Sequence, residues 1–165
     1  MATYQIDPAA SQVWIEGSSS VHPIHACASG LSGWIELSTI KAGVAAQPNM
    51  AGEVRIEVDR LASGNALVDR ETRRRIDAKR YPEIVGTVGS ATRITTQHIE
   101  ISGTIEFRGQ QVEVSGICDV TLAGSRIMID GAQRFDVRDW GLTPPRIGLL
   151  RVHNDIEVRI HVEAS

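Results

Sequence analysis

Apolar and polar residues alternate at period two along most of this chain, the pattern of a strand with one dry face and one wet face. Residues 12–18 set Val13 and Ile15 against Trp14 and Glu16. Residues 33–38 set Ile35 and Leu37 against Trp34 and Glu36. The cleanest strand is 53–61, where Val54, Ile56 and Val58 oppose Arg55, Glu57 and Asp59. Further strands are predicted over 84–88, 92–95, 98–108, 112–122, 126–130 and 150–162. Residues 38–51, rich in small side chains, read as a loop. Arg108-Gly109-Gln110-Gln111 reads as a hairpin turn in which Gly109 supplies positive φ. Alternation this regular is the antiparallel pattern, and strands at this spacing predict a sandwich or an up-and-down barrel.

One segment departs from period two. Residues 67–84 read as a helix that stops at Pro82, because the residue before a proline is driven out of the α region. The same run holds Arg70, Arg73, Arg74, Arg75, Lys79 and Arg80. A charge run of this kind is in the first instance a solvated helix face. Its functional alternative is a patch that meets acidic headgroups or a phosphate-bearing ligand.

The chain has 165 residues, the length of one domain with a full core. Its formal net charge is -3 and aromatic residues make up 4% of it. Both argue against nucleic acid as a partner, which demands phosphate neutralisation and stacking surfaces. No stretch approaches the ~18 apolar residues of a membrane span. The opening residues lack the charged and apolar regions of a secretory signal, so a soluble, cytoplasmic protein is expected. Cys27 and Cys118 are too few for a disulfide framework.

Candidate chemistry is sparse. His22, His25 and Cys27 combine imidazole and thiol, donors that suit zinc. On a strand, however, His22 and His25 point to opposite faces while His25 and Cys27 share one, although Pro23 could bend the strand and bring the histidines together. A fourth ligand would have to come from Cys118 or from His98, His153 or His161, and those three histidines are expected to face water. No metal or other cofactor is therefore expected. Cys118 sits on the inward face of its strand and reads as a small apolar side chain. No Gly-x-Ser-x-Gly motif accompanies Ser18, Ser19 and Ser20, so no nucleophilic triad and no enzymatic activity are expected. Residues 133–146 read either as an ordinary loop or as a polar lip over a pocket, stiffened by Pro144 and Pro145.

Three blocks resemble the YceI family of lipocalin-like polyisoprenoid-binding proteins. The first is Tyr4-Gln5-Ile6-Asp7 with Ser11 and Val13. The second holds Asp69, Ile76 and the Tyr81-Pro82 pair. The third is Ile101-Ser102-Gly103-Thr104-Ile105 with Arg108-Gly109. Arg138-Asp139-Trp140-Gly141-Leu142, ahead of the closing strand, is similar as well. The resemblance implies an all-β, antiparallel, lipocalin-like barrel of about eight strands with one short helix, spanning 1–165 as a single domain. It also implies homodimer formation, and many members of the family are exported.

The function this implies is binding or carriage of an amphiphilic lipid: a polyisoprenoid, an isoprenoid quinone or a fatty amide. The expected walls are Val13, Ile15, Ile35, Leu37, Val54, Ile56, Ile105, Val114, Cys118, Ile156 and Val158. His22 and Ile24 join the expected ligand contacts, and Trp14, Trp34 or Trp140 would close the mouth. Two other readings compete with a carrier. One is a metal or haem protein, or an enzyme, built on His22, His25 and Cys27. The other is a filled barrel that meets a partner through its arginine-rich helix.

Overall fold

The structure, a computed structural model, describes residues 2–21, 23–143, 146, 147 and 150–165. In chain order the strands are β1 (Ala2–Gln5), β2 (Gln12–Ser19), β3 (Pro23–Ser29), β4 (Ser32–Leu37), β5 (Thr39–Ile40), β6 (Gly43–Val44), β7 (Met50–Glu57), β8 (Glu83–Arg93), β9 (His98–Phe107), β10 (Gln110–Ala123), β11 (Arg126–Asp136), β12 (Arg146–Ile147) and β13 (Leu150–Ala164). The one α-helix, α1 (Ala66–Ile76), follows β7, and single 3-10 turns occupy Val58–Arg60 and Val137–Trp140.

Ten strands form a curled antiparallel sheet in the order β1-β4-β7-β8-β9-β10-β11-β13-β2-β3. That is two more than the eight expected, because β1 and β3 extend the path at its ends. Two contacts draw those ends in. Gln5 and Ser165 exchange backbone hydrogen bonds of 2.8 and 3.0 Å, which sets the end of β1 beside the end of β13. Cys27 and Ala62 exchange a second pair, both 3.0 Å, which ties β3 to the chain leaving β7. At the first of these contacts Arg126 bridges Asp7 and Glu163. His161 joins it, with Nδ1 2.6 Å from Asp130 and Nε2 3.1 Å from Glu163.

Three of the sequence expectations change as follows. The helix stops at Ile76, not at Pro82, because Asp77 takes the left-handed conformation (φ 58°) that ends a helix. Asn65 caps its start by accepting from the Leu67 and Val68 amides. The strands read over 84–88 and 92–95 are one, β8, which ends at Arg93 and runs through an irregularity between Val88 and Ser90 instead of breaking there. Part of the 38–51 loop is a small β5–β6 hairpin, and its last two residues open β7. The Arg108-Gly109 hairpin turn forms as expected, with Gly109 at positive φ (72°) and Arg108 there as well (53°), as a two-residue type I′ hairpin requires.

The inward faces divide the barrel into two ends. At one end Leu31, Leu37, Ile99 and Ile127 are fully buried and pack with Tyr4, Met50, Val120 and Val162 into a closed floor. At the other, Val58, Ile76, Ala78, Phe107 and Trp140 form a second cluster beneath α1.

Gly103 allows β8 and β9 to approach, since a Cβ there would lie 2.1 Å from the Thr87 carbonyl oxygen. Gly103→Ala is expected to cost about 3 kcal/mol by forcing the strands apart. Gly109→Ala, with open space around it, is expected to cost about 1 kcal/mol, the left-handed penalty alone. Urea unfolding of both variants checks the ranking. Hydrogen bonding to Asp130, with a smaller contribution from Glu163, raises the pKa of His161. Its stabilising effect is therefore complete below the unfolded value of about 6.5 and is lost as pH rises through the raised folded value. His161→Gln is expected to flatten that decline in melting temperature.

Candidate ligand-binding cavity

The strands leave the second cluster incompletely filled, and a cavity of about 270 Å³ lies there. Its wall is assembled from several elements. β2 and β3 give Val13, Ile15, Gly17, Ile24 and Ala26, and β13 gives Val152, Ile156 and Val158. β7, with the turn after it, gives Ile56, Val58 and Leu61; β8 and β9 give Ile84, Ile105 and Phe107. Helix α1 lays Val68, Thr72 and Ile76 across the top, at the i, i+4, i+8 spacing of a single helix face. Phe135, Val137, Trp140 and Leu142 complete the roof.

Space exists here because some inward positions are small. Gly17 and Ala26 face one another's strands where the floor has leucine and isoleucine. A Cβ on Gly17 would already touch Ile156 at 3.6 Å. The surface inside is almost wholly apolar, and polar side chains gather toward α1: Ser63, Asp69, Thr72, Arg73 and Arg75. Asp69 accepts from the Ser63 amide at 2.9 Å and its hydroxyl at 2.6 Å. Arg75 donates to Glu71 at 3.0 Å, and Arg74 does so at 2.5 Å. Those bonds, Arg74's first, hold the Glu71 carboxyl down to about 2. Arg73 donates to the Asp59 and Leu61 carbonyls, both at 3.4 Å.

Trp140 is the roof's anchor. It is buried, it meets Phe135 edge to face at 5.6 Å, and its Nε1 donates to the Ile105 carbonyl at 3.3 Å. Arg108, at the tip of the β9–β10 hairpin, donates to the carbonyls of Trp140 (3.1 Å) and Gly141 (2.7 Å). Its guanidinium also lies 5.8 Å from the centre of the Tyr81 ring, and Arg80 lies 5.2 Å from it. The Arg108 Nε is buried without a hydrogen-bond partner among the described residues.

Of the ligand contacts expected from sequence, Val13, Ile15, Ile24, Ile56, Ile105, Trp140 and Ile156 line this cavity, as does Val158. Ile35 and Leu37 lie in the packed floor, and Val54 and Cys118 pack against it. Burial, together with the nearby Asp119 and Asp130 charges, pushes the Cys118 thiol up to about 11. Val114 is half-buried and is not in the cavity wall, and neither are Trp14 and Trp34. Trp14 and Trp34 sit on the opposite face of their strands from Val13 and Ile35. His22, Pro144 and Pro145 lie outside the described residues.

His25 is exposed beside Glu16, and it shares the outward face of β3 with Cys27. No cluster of three or more metal-ligating side chains occurs among the described residues. His98 and His153 are exposed, as expected, but His153 borders the cavity, and its Nδ1 lies 2.9 Å from the Ser18 hydroxyl. Sequence reading missed the contribution of α1, where the arginines masked the Val68, Thr72 and Ile76 stripe. It leaves Phe107, which alternation puts on the same face as Ile105, out of the wall, and it misses Phe135, which is flanked by charged residues. Residues 133–143 supply Phe135, Val137, Trp140 and Leu142 to the cavity, so this segment covers it with apolar side chains as well as polar ones.

The YceI-like domain model matches residues 4–164, and the chain belongs to that family. Its fold is that of BcnA from Burkholderia cenocepacia, with a TM-score of 0.81 at 16% identity over 97% of this chain and 99% of that one. A polyisoprenoid binding domain from Saccharophagus degradans is similar at a TM-score of 0.73 and 14% identity, over 98% and 97%. The YCEI protein of Campylobacter jejuni follows at 0.62 and 18%, over 79% of each chain. No curated protein matches the sequence.

Arg108→Ala removes the donor to two roof carbonyls. It is expected to destabilise the protein by about 2–3 kcal/mol, the range for hydrogen bonds from a charged group. The near-UV circular dichroism of Trp140 should weaken with it, and an unchanged signal would show that the roof stands without the clamp.

Proposed function

We propose that the barrel binds and carries an amphiphilic lipid, with an isoprenoid-type tail in the cavity and the polar head at the α1 side. The observation that carries this reading is the cavity itself: an apolar hollow at one end of a barrel whose other end is solidly packed. Polar groups beside α1 give an amphiphile a direction. Membership of the YceI family and the likeness to a polyisoprenoid binding domain support the lipid class. A polyprenol, an isoprenoid quinone and a fatty amide all satisfy the same lining, because it offers mainly methyl, methylene and ring contacts. The proposed role is binding.

Burial of each tail methylene contributes about 0.8 kcal/mol. Five to ten buried carbons therefore offset an association cost of several kcal/mol. Ala26→Leu tests the site by filling it. Displacing about three methylenes of tail at ~0.8 kcal/mol each predicts roughly fiftyfold weaker binding of a fluorescent prenol. Ile117→Ser, at an exposed position outside the cavity, is the control and should bind like the parent. Equal affinity in the parent, the folded Ala26→Leu variant and the control would place the ligand elsewhere and overturn the reading.

A further inference from the structure

We infer that the α1 end of the barrel is a docking surface for an anionic lipid bilayer, through which the carrier exchanges its cargo. The inference rests on the carrier reading and adds the partner. Two of the exposed large apolar side chains belong to elements that line the cavity. Leu67, 54% exposed on α1, directly precedes the lining residue Val68. Val21, 69% exposed, lies in the loop of the β2–β3 hairpin, whose Gly17 and Ile24 line the same cavity. The paired hydrogen bonds of Cys27 and Ala62 hold that hairpin against the chain that leads into α1. Isolated exposed apolar residues are ordinary on a soluble protein. Here they flank the apolar cavity.

Charge singles out a bilayer as the occupant. Residues 66–80 carry six basic and three acidic side chains, a local excess of three positive charges in a chain of net charge -3. Two of the three acids are engaged, and Asp77, at the C-cap of the helix, is exposed. Asp69 is held by Ser63, and Glu71 lies between Arg74 and Arg75. Arg70 and Lys79 are exposed and make no ion pair among the described residues. Leu67, Arg70 and Arg74 follow i, i+3, i+7 spacing, so one exposed helix face presents an apolar side chain, Arg70, unpaired among the described residues, and Arg74 in its pair with Glu71. An apolar residue that enters the headgroup boundary, with cations beside it that stay at the phosphates, is the arrangement of an interfacial helix. A protein partner would need a larger continuous apolar patch than Leu67 and Val21 provide. A water-insoluble cargo also has to enter from and leave to a lipid phase, and the polar groups of the cavity gather at its α1 side.

The experiment is sedimentation of the full chain with phosphatidylcholine vesicles, with and without phosphatidylglycerol. Uptake of a fluorescent prenol from solution is measured in parallel. The protein is expected to bind the phosphatidylglycerol vesicles, to ignore the neutral ones, and to release as salt is raised. Each cation near an anionic surface is worth about fivefold in binding, so Arg70→Gln with Lys79→Gln should weaken it roughly twenty-fivefold. Leu67→Gln should also weaken it. These side chains stand outside the cavity wall, so prenol uptake and far-UV circular dichroism should not change. Normal uptake with no preference for anionic vesicles, or with binding unaltered in the variants, overturns the docking surface and leaves the carrier standing. Anionic vesicle binding without prenol uptake overturns the carrier and leaves the surface.

Discussion

A curled sheet must find hydrogen-bond partners for both of its outer edges, and in this protein the way it does so fixes where the hollow lies. β1 meets β13 through Gln5 and Ser165, at the end that the Leu31–Leu37–Ile99–Ile127 floor fills. β3 meets the chain beyond β7 through Cys27 and Ala62, at the end that stays open enough to need a helix over it. The segment that makes the second contact runs on through Ser63 and the Asn65 cap into α1. Closing the sheet and roofing the cavity are consequently one structural event. Without the Cys27–Ala62 pair neither the β2–β3 wall nor the helix would have a fixed position against the other.

The roof is built differently from the floor. The floor is mostly branched aliphatic side chains, with Tyr4 and Met50 among them, close-packed in the manner of a protein interior. The roof combines aromatic rings, one helix face and a single turn held by the Arg108 clamp. Arg108 is suited to that task because its Nη1 donates to both carbonyls while the cation lies over the Tyr81 ring. Fewer apolar groups close the roof than close the floor. A lipid tail that enters the hollow would supply the contacts the roof side chains lack, which is why binding and local stability should rise together.

Much of this was legible in the chain before folding was considered. Alternation at period two located the main strands, and the order of short motifs identified the family. Periodicity also placed Val13, Ile15, Ile56, Ile105 and Ile156 inward, and these line the cavity. What period two cannot express is depth. Ile35 and Leu37 alternate as cleanly as Ile15 and Ile156, yet they lie in the floor, because position along the barrel axis depends on strand stagger. The helix boundary was lost to Asp77, a residue whose tolerance of the left-handed region competes with the more conspicuous stop at Pro82. The apolar stripe of α1 was obscured by arginines on adjoining positions. The hollow itself could not be read from the pattern, since it arises from Gly17 and Ala26, which look like ordinary strand residues until their neighbours across the barrel are known.

The central claim is that the hollow holds a lipid. Native mass spectrometry of the protein purified from its own host tests it most directly, followed by solvent extraction and identification of what is released. A bound mass that leaves on extraction and proves to be an isoprenoid or another long-chain amphiphile is the predicted result. A bare chain mass from protein that also fails to take up such lipids when they are added would contradict it.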